Sequence, residues 1–170
     1  MHPSELERFE AVVLPHLSGA YTLARYLTRN AFDADDVVQE ACLRALRYFG
    51  GFRGAEPGDG RAWLLAIVRN TAHTWLRRQG MEAGATEFDE TLHSEAIADE
   101  HPESALANSA LRETLAESLR GLAPEFREVI VLRELEGLSY KEISAVVGVP
   151  VGTVMSRLAR ARKRLQEALR

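Results

Sequence analysis

The stretch from Gly137 to Leu165 constrains the fold more than any other part of the chain. Ser139 with Glu142 three residues on forms a capping box, so a helix is expected to start here. Ile143, Val146 and Val147 give that helix an apolar face. Gly148 suits the left-handed position that ends a helix, and Pro150 turns Val149 away from helical geometry. A second helix is expected from about Val151, with Val154, Leu158, Ala161 and Leu165 on one buried stripe. A short helix, a tight turn and a longer helix form a helix-turn-helix, whose second helix enters the DNA major groove.

The polar residues of the second helix support that reading. Thr153, Arg157, Arg160 and Arg164 fall within roughly 60° of one another, and Ser156 and Lys163 lie opposite the core stripe. Five basic residues and no acidic one stand between Gly152 and Arg164. A solvated charged face is the ordinary explanation of a basic helix. Here the other helical stretches mix Glu with Arg and this one does not, which favours DNA. Arginine grips phosphate or guanine, and Thr and Ser fit close to base edges.

A net charge of −4 looks wrong for a DNA binder, but it is unevenly spread. Residues 1–79 carry ten basic and nine acidic groups, residues 80–120 two and ten, and residues 121–170 nine and six. The acidity therefore sits in the middle, and both ends are mildly basic. One cysteine, Cys42, excludes a disulfide or a Cys-based zinc site within the chain and fits a reducing compartment. No continuous apolar stretch suggests a secretion signal or a transmembrane span.

The remaining pattern is helical throughout. Ser4 and Glu7 resemble a capping box, followed by Leu6, Phe9, Val13, Leu17, Ala20, Ala24 and Leu27, with Pro15 splitting the run. Asp33 is expected to cap a second helix that buries Val37, Val38, Ala41, Ala45, Leu46 and Phe49 and stops at Gly50-Gly51. A glycine-rich loop and a third helix from about Arg61 to Arg78 follow. From Gly80 to about His101 the chain reads as an acidic, partly disordered linker. Pro102 suits the first turn of a helix carrying Leu111, Leu115 and Leu119 and ending at Gly121. Pro124 opens another, with Phe126, Val129, Ile130 and Leu135 inward and Gly137 at its end. The fold class is all-α: two small helical domains joined by a flexible acidic linker, the C-terminal one containing the helix-turn-helix. The expected bounds are 1–79, 80–105 and 106–170.

The first domain mixes Tyr48, Phe49, Phe52, Trp63 and Trp75 with Arg53, Arg61, Arg69, Arg77 and Arg78. Stacking surfaces beside cations suit single-stranded nucleic acid, although Phe49 and Trp75 fit the core by periodicity. Asp33, Asp35, Asp36, Gln39 and Glu40 form an acidic cluster that reads as helix-terminal charge or as a protein-docking surface. As a metal site it is poor, having no turn glycine and no nearby histidine. The chain carries no nucleophile triad, Walker loop or dinucleotide fingerprint, so neither an enzyme, a resident metal nor a cofactor is expected.

Three stretches together resemble the bacterial sigma factors of the extracytoplasmic-function (ECF) group in the sigma-70 family. They are Asp33-Ala-Asp-Asp-Val-Val-Gln-Glu-Ala-x-Leu-Arg-Ala-Leu46; Ala62-Trp-Leu-x-x-Ile-x-Arg-Asn70 with Trp75-Leu-Arg-Arg78; and Leu122-x-Pro-x-x-Arg-x-Val-x-x-Leu-Arg133 with Gly137-Leu-Ser-Tyr-x-Glu-Ile143 and Gly152-Thr-Val-x-Ser-Arg157. The resemblance covers nearly all of the chain outside residues 80–105. It implies docking on the clamp of core RNA polymerase through Asp35, Asp36, Gln39, Glu40 and Arg44. It implies minus-ten recognition and strand capture by Phe52, Arg53, Arg61, Trp63, Arg69, Asn70, His73, Arg77 and Arg78, with a flipped base in a pocket. Tyr140, Lys141, Thr153, Ser156, Arg157, Arg160, Lys163 and Arg164 would bind the minus-thirty-five element as duplex, near the polymerase flap. An anti-sigma factor and a bacterial cytoplasmic location are implied as well. The acidic linker would thread a polymerase channel, either mimicking a phosphate chain or serving as a spacer. Two rivals stand beside this reading: a stand-alone helix-turn-helix regulator with a helical sensor domain, and an enzyme using Asp33–Glu40 with a divalent metal.

Overall fold

A computed structural model of the chain describes residues 3–56, 58–80 and 105–169. Eight α-helices run in order through these segments, with no strand among the described residues. The first four are α1 (Pro3–Val13), α2 (Leu17–Thr28), α3 (Ala31–Tyr48) and α4 (Asp59–Arg78). After residues 81–104 come α5 (Ala105–Arg120), α6 (Pro124–Ile130), α7 (Tyr140–Val147) and α8 (Val151–Ala168). The expected linker and Pro102 lie outside the described residues.

Local chemistry explains most boundaries. Pro15 cannot donate to the preceding turn, and the chain passes through a 3-10 turn at Leu14–His16 between α1 and α2. α1 runs from Pro3, so Ser4 lies within its first turn. Asn30 caps α3, its side-chain oxygen accepting the N–H groups of Phe32 at 2.8 Å and Asp33 at 3.0 Å. Asp33 is therefore a first-turn residue, not the cap; burial and then the neighbouring Asp36 raise its pKa. α4 begins two residues before Arg61, because the Asp59 carboxylate accepts the N–H groups of Ala55 and Glu56 at 2.9 and 2.8 Å. Gly54 lies against the Phe52 ring, whose Cζ would stand 2.2 Å from an added Cβ, so any larger residue there would push the ring aside.

In the C-terminal half, Pro124 occupies the first turn of α6, where its missing N–H costs nothing. The helix continues as a wider π turn over Val131–Leu135. Its signature is the Glu136 N–H donating five residues back to the Val131 carbonyl at 3.1 Å. The extra residue per turn rotates Leu135 out of the α-helical phase, and it ends 42% exposed instead of inward as the sequence suggested. Ser139 and Glu142 form the expected capping box of α7, and Gly148 is left-handed at φ 76°. α7 and α8 cross at 99°, the angle of a helix-turn-helix. Val154, Leu158 and Ala161 are buried, and Leu165 is partly so.

The two halves do not keep separate cores. Leu23, Leu27, Val37, Leu64 and Val68 of the first half continue into Val129, Leu132, Ile143, Val147 and Leu158 of the second. α4 packs on α7, and α2 packs on α6. Small helical modules bury little surface alone, and packing on each other is how these two complete their burial.

Candidate nucleic-acid interface

Three surfaces carry the residues singled out in the sequence. The first is the outer face of α3. Ala34, Val37, Ala41 and Ala45 face the core, while Phe32, Asp36, Gln39, Leu43 and Arg47 follow at helical spacing on the opposite side, all exposed. Asp35 is exposed beside them. Glu40 and Arg44 pair at 2.6 Å, and Arg44 also donates to the Thr71 hydroxyl of α4 at 3.3 Å. They brace α3 on α4, leaving Asp35, Asp36 and Gln39 as the free polar groups. Phe32 is 73% exposed and Leu43 63%, so the face is apolar as well as acidic. Their helical phase, opposite the alanines, was the signal that would have found them.

The second surface combines the glycine-rich loop and α4. Phe49 is buried and meets Phe9 edge-on at 5.4 Å, and Phe52 and Trp63 stand 4.9 Å apart beside it. Phe52 and Trp63 are thus half-buried parts of one ring cluster that anchors the loop. Arg53 holds the loop from outside, donating to the Gly50 carbonyl at 2.7 Å. Along α4, Asn70, Arg77 and Arg78 are exposed. Arg61, Arg69 and His73 are not free. Arg61 donates to the Glu136 carbonyl at 3.2 Å and to the Glu142 carboxylate at 3.3 Å. Arg69 grips Glu128 with two bonds, Nε at 2.8 Å and a terminal nitrogen at 3.1 Å. His73 Nε2 lies 3.0 Å from the same Glu128.

Glu128 is the centre of this junction, with its side chain fully buried. Burial alone would raise its pKa, but the His73 and Arg69 bonds and their charges outweigh it and lower the pKa. Arg127, beside it, is 1% exposed and ties the halves together through carbonyls. It donates to Leu119 and Leu122 at 3.2 and 2.9 Å, and to Tyr26 and Leu27 of α2 at 3.2 and 3.4 Å. Burial and then the Arg29 charge push its pKa down to about 9, so it remains protonated at neutral pH. Local pattern placed Arg127 only within a motif and did not mark Glu128 at all, because the contacts that bury them, to Tyr26, Leu27, Arg69 and His73, come from segments far away in sequence.

The third surface is the helix-turn-helix. Gly152, Ser156, Arg160 and Lys163 line the exposed side of α8, with Thr153 and Arg157 half-buried on its flank. Arg164 turns back over the Phe126 ring of α6 at 4.6 Å, and so braces the helix. Tyr140 is packed under Arg133 at 4.6 Å, while Lys141 is exposed. No cluster of three or more His, Cys, Asp or Glu with metal-holding geometry occurs among the described residues. No single described helix is long and apolar enough to cross a membrane.

Residues 12–81 match the family model of sigma-70 region 2, and residues 112–165 match that of sigma-70 region 4. The chain is 36% identical to the RNA polymerase sigma-H factor of Pseudomonas aeruginosa, over 95% of its own length and 86% of the relative's. The chain belongs to the ECF sigma factors of the sigma-70 family. It is 37% identical over 164 residues to the ECF sigma factor SigE of Mycolicibacterium smegmatis, covering 95% of this chain and 61% of that longer relative. The sigma factor RpoE of Bartonella quintana, solved in complex with the anti-sigma factor NepR, superposes with a TM-score of 0.75 at 29% identity, covering 96% of this chain and 97% of that one. In this sigma factor, the region 2 match runs from the end of α1 through α4, and the region 4 match runs from within α5 into α8.

Proposed function

We propose that this sigma factor recruits core RNA polymerase, directs it to a two-part promoter and opens the upstream edge of the bubble. Asp35, Asp36 and Gln39 on the outer face of α3 dock the polymerase clamp, with Phe32 and Leu43 adding apolar contact. Arg69, Asn70, His73, Arg77, Arg78 and Arg61, beside the Phe52–Trp63 cluster, take the melted minus-ten strand. Ser156, Arg160 and Lys163, flanked by Thr153 and Arg157, enter the minus-thirty-five duplex, and Tyr140 and Lys141 lie at its edge. Residues 1–79 and 106–170 act as the two functional units, and 80–105 spans the distance between them. An anti-sigma factor holds the protein in reserve, in keeping with the likeness to RpoE bound to NepR.

The observation that carries this reading is the packing of region 4 onto the strand-binding side of α4. Arg61, Arg69 and His73 are engaged by Glu136, Glu142 and Glu128, all from the region 4 half. Acidic groups occupy the cationic side chains proposed for the phosphate chain, so this compact form is the resting one. Promoter engagement requires the halves to separate. The stand-alone regulator makes the opposite prediction, tight duplex binding by the protein alone.

In vitro transcription with core polymerase over a randomised promoter library tests the function. The expected result is enrichment of one bipartite promoter, with no specific gel shift by the protein alone. Failure to support initiation from any template would overturn it.

A further inference from the structure

The recognition helix has an unusual second flank. Taking the buried stripe of α8 as reference, Arg157, Arg160 and Arg164 lie to one side of its exposed face, and Arg162, further along on the other side, is paired with Glu134 at 2.8 Å. Val151, Met155 and Ala159 lie on that other side, within about 80° of one another. Val151 is 39% exposed, Met155 is 51% exposed, and Ala159 is exposed. Apolar residues scattered singly over a surface need no explanation. These three are contiguous, occupy the first turns of α8 and border Ser156 and Lys163. They do not contribute to the core that Val154, Leu158 and Ala161 form.

Gly152 adds an independent observation. A Cβ there would meet nothing within 4 Å, so packing does not require glycine. Its bare backbone leaves a notch beside Val151, Met155 and Ser156, into which a base edge can come close. The cationic side of the same helix would hold the flanking phosphates.

Resting on the promoter-binding reading above, we propose that Met155, with Val151, is a specificity-determining residue that reads thymine C5-methyl groups in the major groove of the upstream element. The thymine methyl is the apolar group displayed on the base edges of that groove, and apolar side chains are its natural partners. Met155 suits the task because its unbranched side chain adapts to the position of the methyl. The upstream element of this sigma factor therefore contains at least one thymine opposite the Val151–Met155 flank, beside the bases contacted by Ser156 and Arg160.

The test uses the holoenzyme on its selected promoter, with each upstream thymine replaced in turn by deoxyuridine, which lacks only the methyl. Wild-type holoenzyme should lose about fourfold in promoter binding at one or two positions, as expected for unburying one methyl group. With Met155→Ala or Val151→Ala, the same replacements should have little further effect. Circular dichroism checks that the variants remain folded. The proposal is overturned by an upstream element without thymine, by no effect of deoxyuridine, or by a deoxyuridine effect unchanged in both variants. It is also overturned if Met155→Ala weakens binding to core polymerase itself, since the flank would then be a protein-docking surface. In all of these outcomes promoter-directed initiation persists, so they are distinct from failure of the sigma function.

Discussion

Arg127 and Glu128 are neighbours in sequence with opposite charges, and both are buried at the junction of the two halves. Arg127 donates to carbonyls at the C-terminal ends of α2 and α5, where helix dipoles favour a cation and carbonyls lack intrahelical partners. Arg127→Met keeps the volume but strands those carbonyls. It should cost at least ~3 kcal/mol, since hydrogen bonds to a charged group contribute roughly 1.5–3 kcal/mol each; urea unfolding would measure it. Glu128 makes a pH prediction with a definite sign. Its folded pKa lies below the ordinary 4.5, so its contribution is complete above that value and is lost as pH falls through the folded pKa. Unfolding midpoints of the wild type should therefore drop steeply below about pH 4.5. Glu128→Gln should be less stable at neutral pH and flatter in acid; parallel curves for the two proteins would refute the assignment.

The helices vary in how much of their form is local. α7 is determined by its ends: a capping box at Ser139 and Glu142, and left-handed Gly148. Ser139→Ala should cost about 1 kcal/mol and loosen the helix-turn-helix first, seen as faster amide exchange in α7. Glu142 serves two elements, accepting the Ser139 N–H at 2.8 Å and pairing with Arg61 of α4 at 3.3 Å. α3 shows a different division of labour. Its alanine stripe holds it in region 2, and the opposite stripe faces solvent. Leu43→Ser should leave the melting temperature within a degree or two, because exposed positions contribute little to stability. It should weaken binding to core polymerase severalfold, as measured by competition against the wild type. Equal affinity would remove Leu43 from the docking face.

At the scale of the whole molecule, the proposed resting form depends on carboxylates of the region 4 half pairing with cationic groups of α4. Glu128→Gln combined with Glu142→Gln removes the charges facing Arg69, His73 and Arg61. The double variant should expand in small-angle scattering and should bind a single-stranded minus-ten oligonucleotide more tightly than the wild type, in the absence of polymerase. An unchanged radius with unchanged oligonucleotide affinity would mean that the apolar contacts of α4 with α7 hold the halves together without the ion pairs.

The sequence alone determined the helix-turn-helix, because its caps, its turn and its apolar stripe are all set by residues within a few positions of one another. It also carried the acidic face of α3 and the basic face of α8, since helical phase turns sequence spacing directly into geometry. It misplaced the cap of α3 by three residues, where Asn30 competes with Asp33 for the same role, and the phase of Leu135, where a π turn adds a residue. Tertiary structure alone decided which of the proposed DNA-binding residues are free. Arg69 and Asn70 look alike in sequence, yet one is bound to a buried carboxylate 59 positions away and the other is exposed. Such pairings depend on how whole helices pack, and no local pattern encodes them.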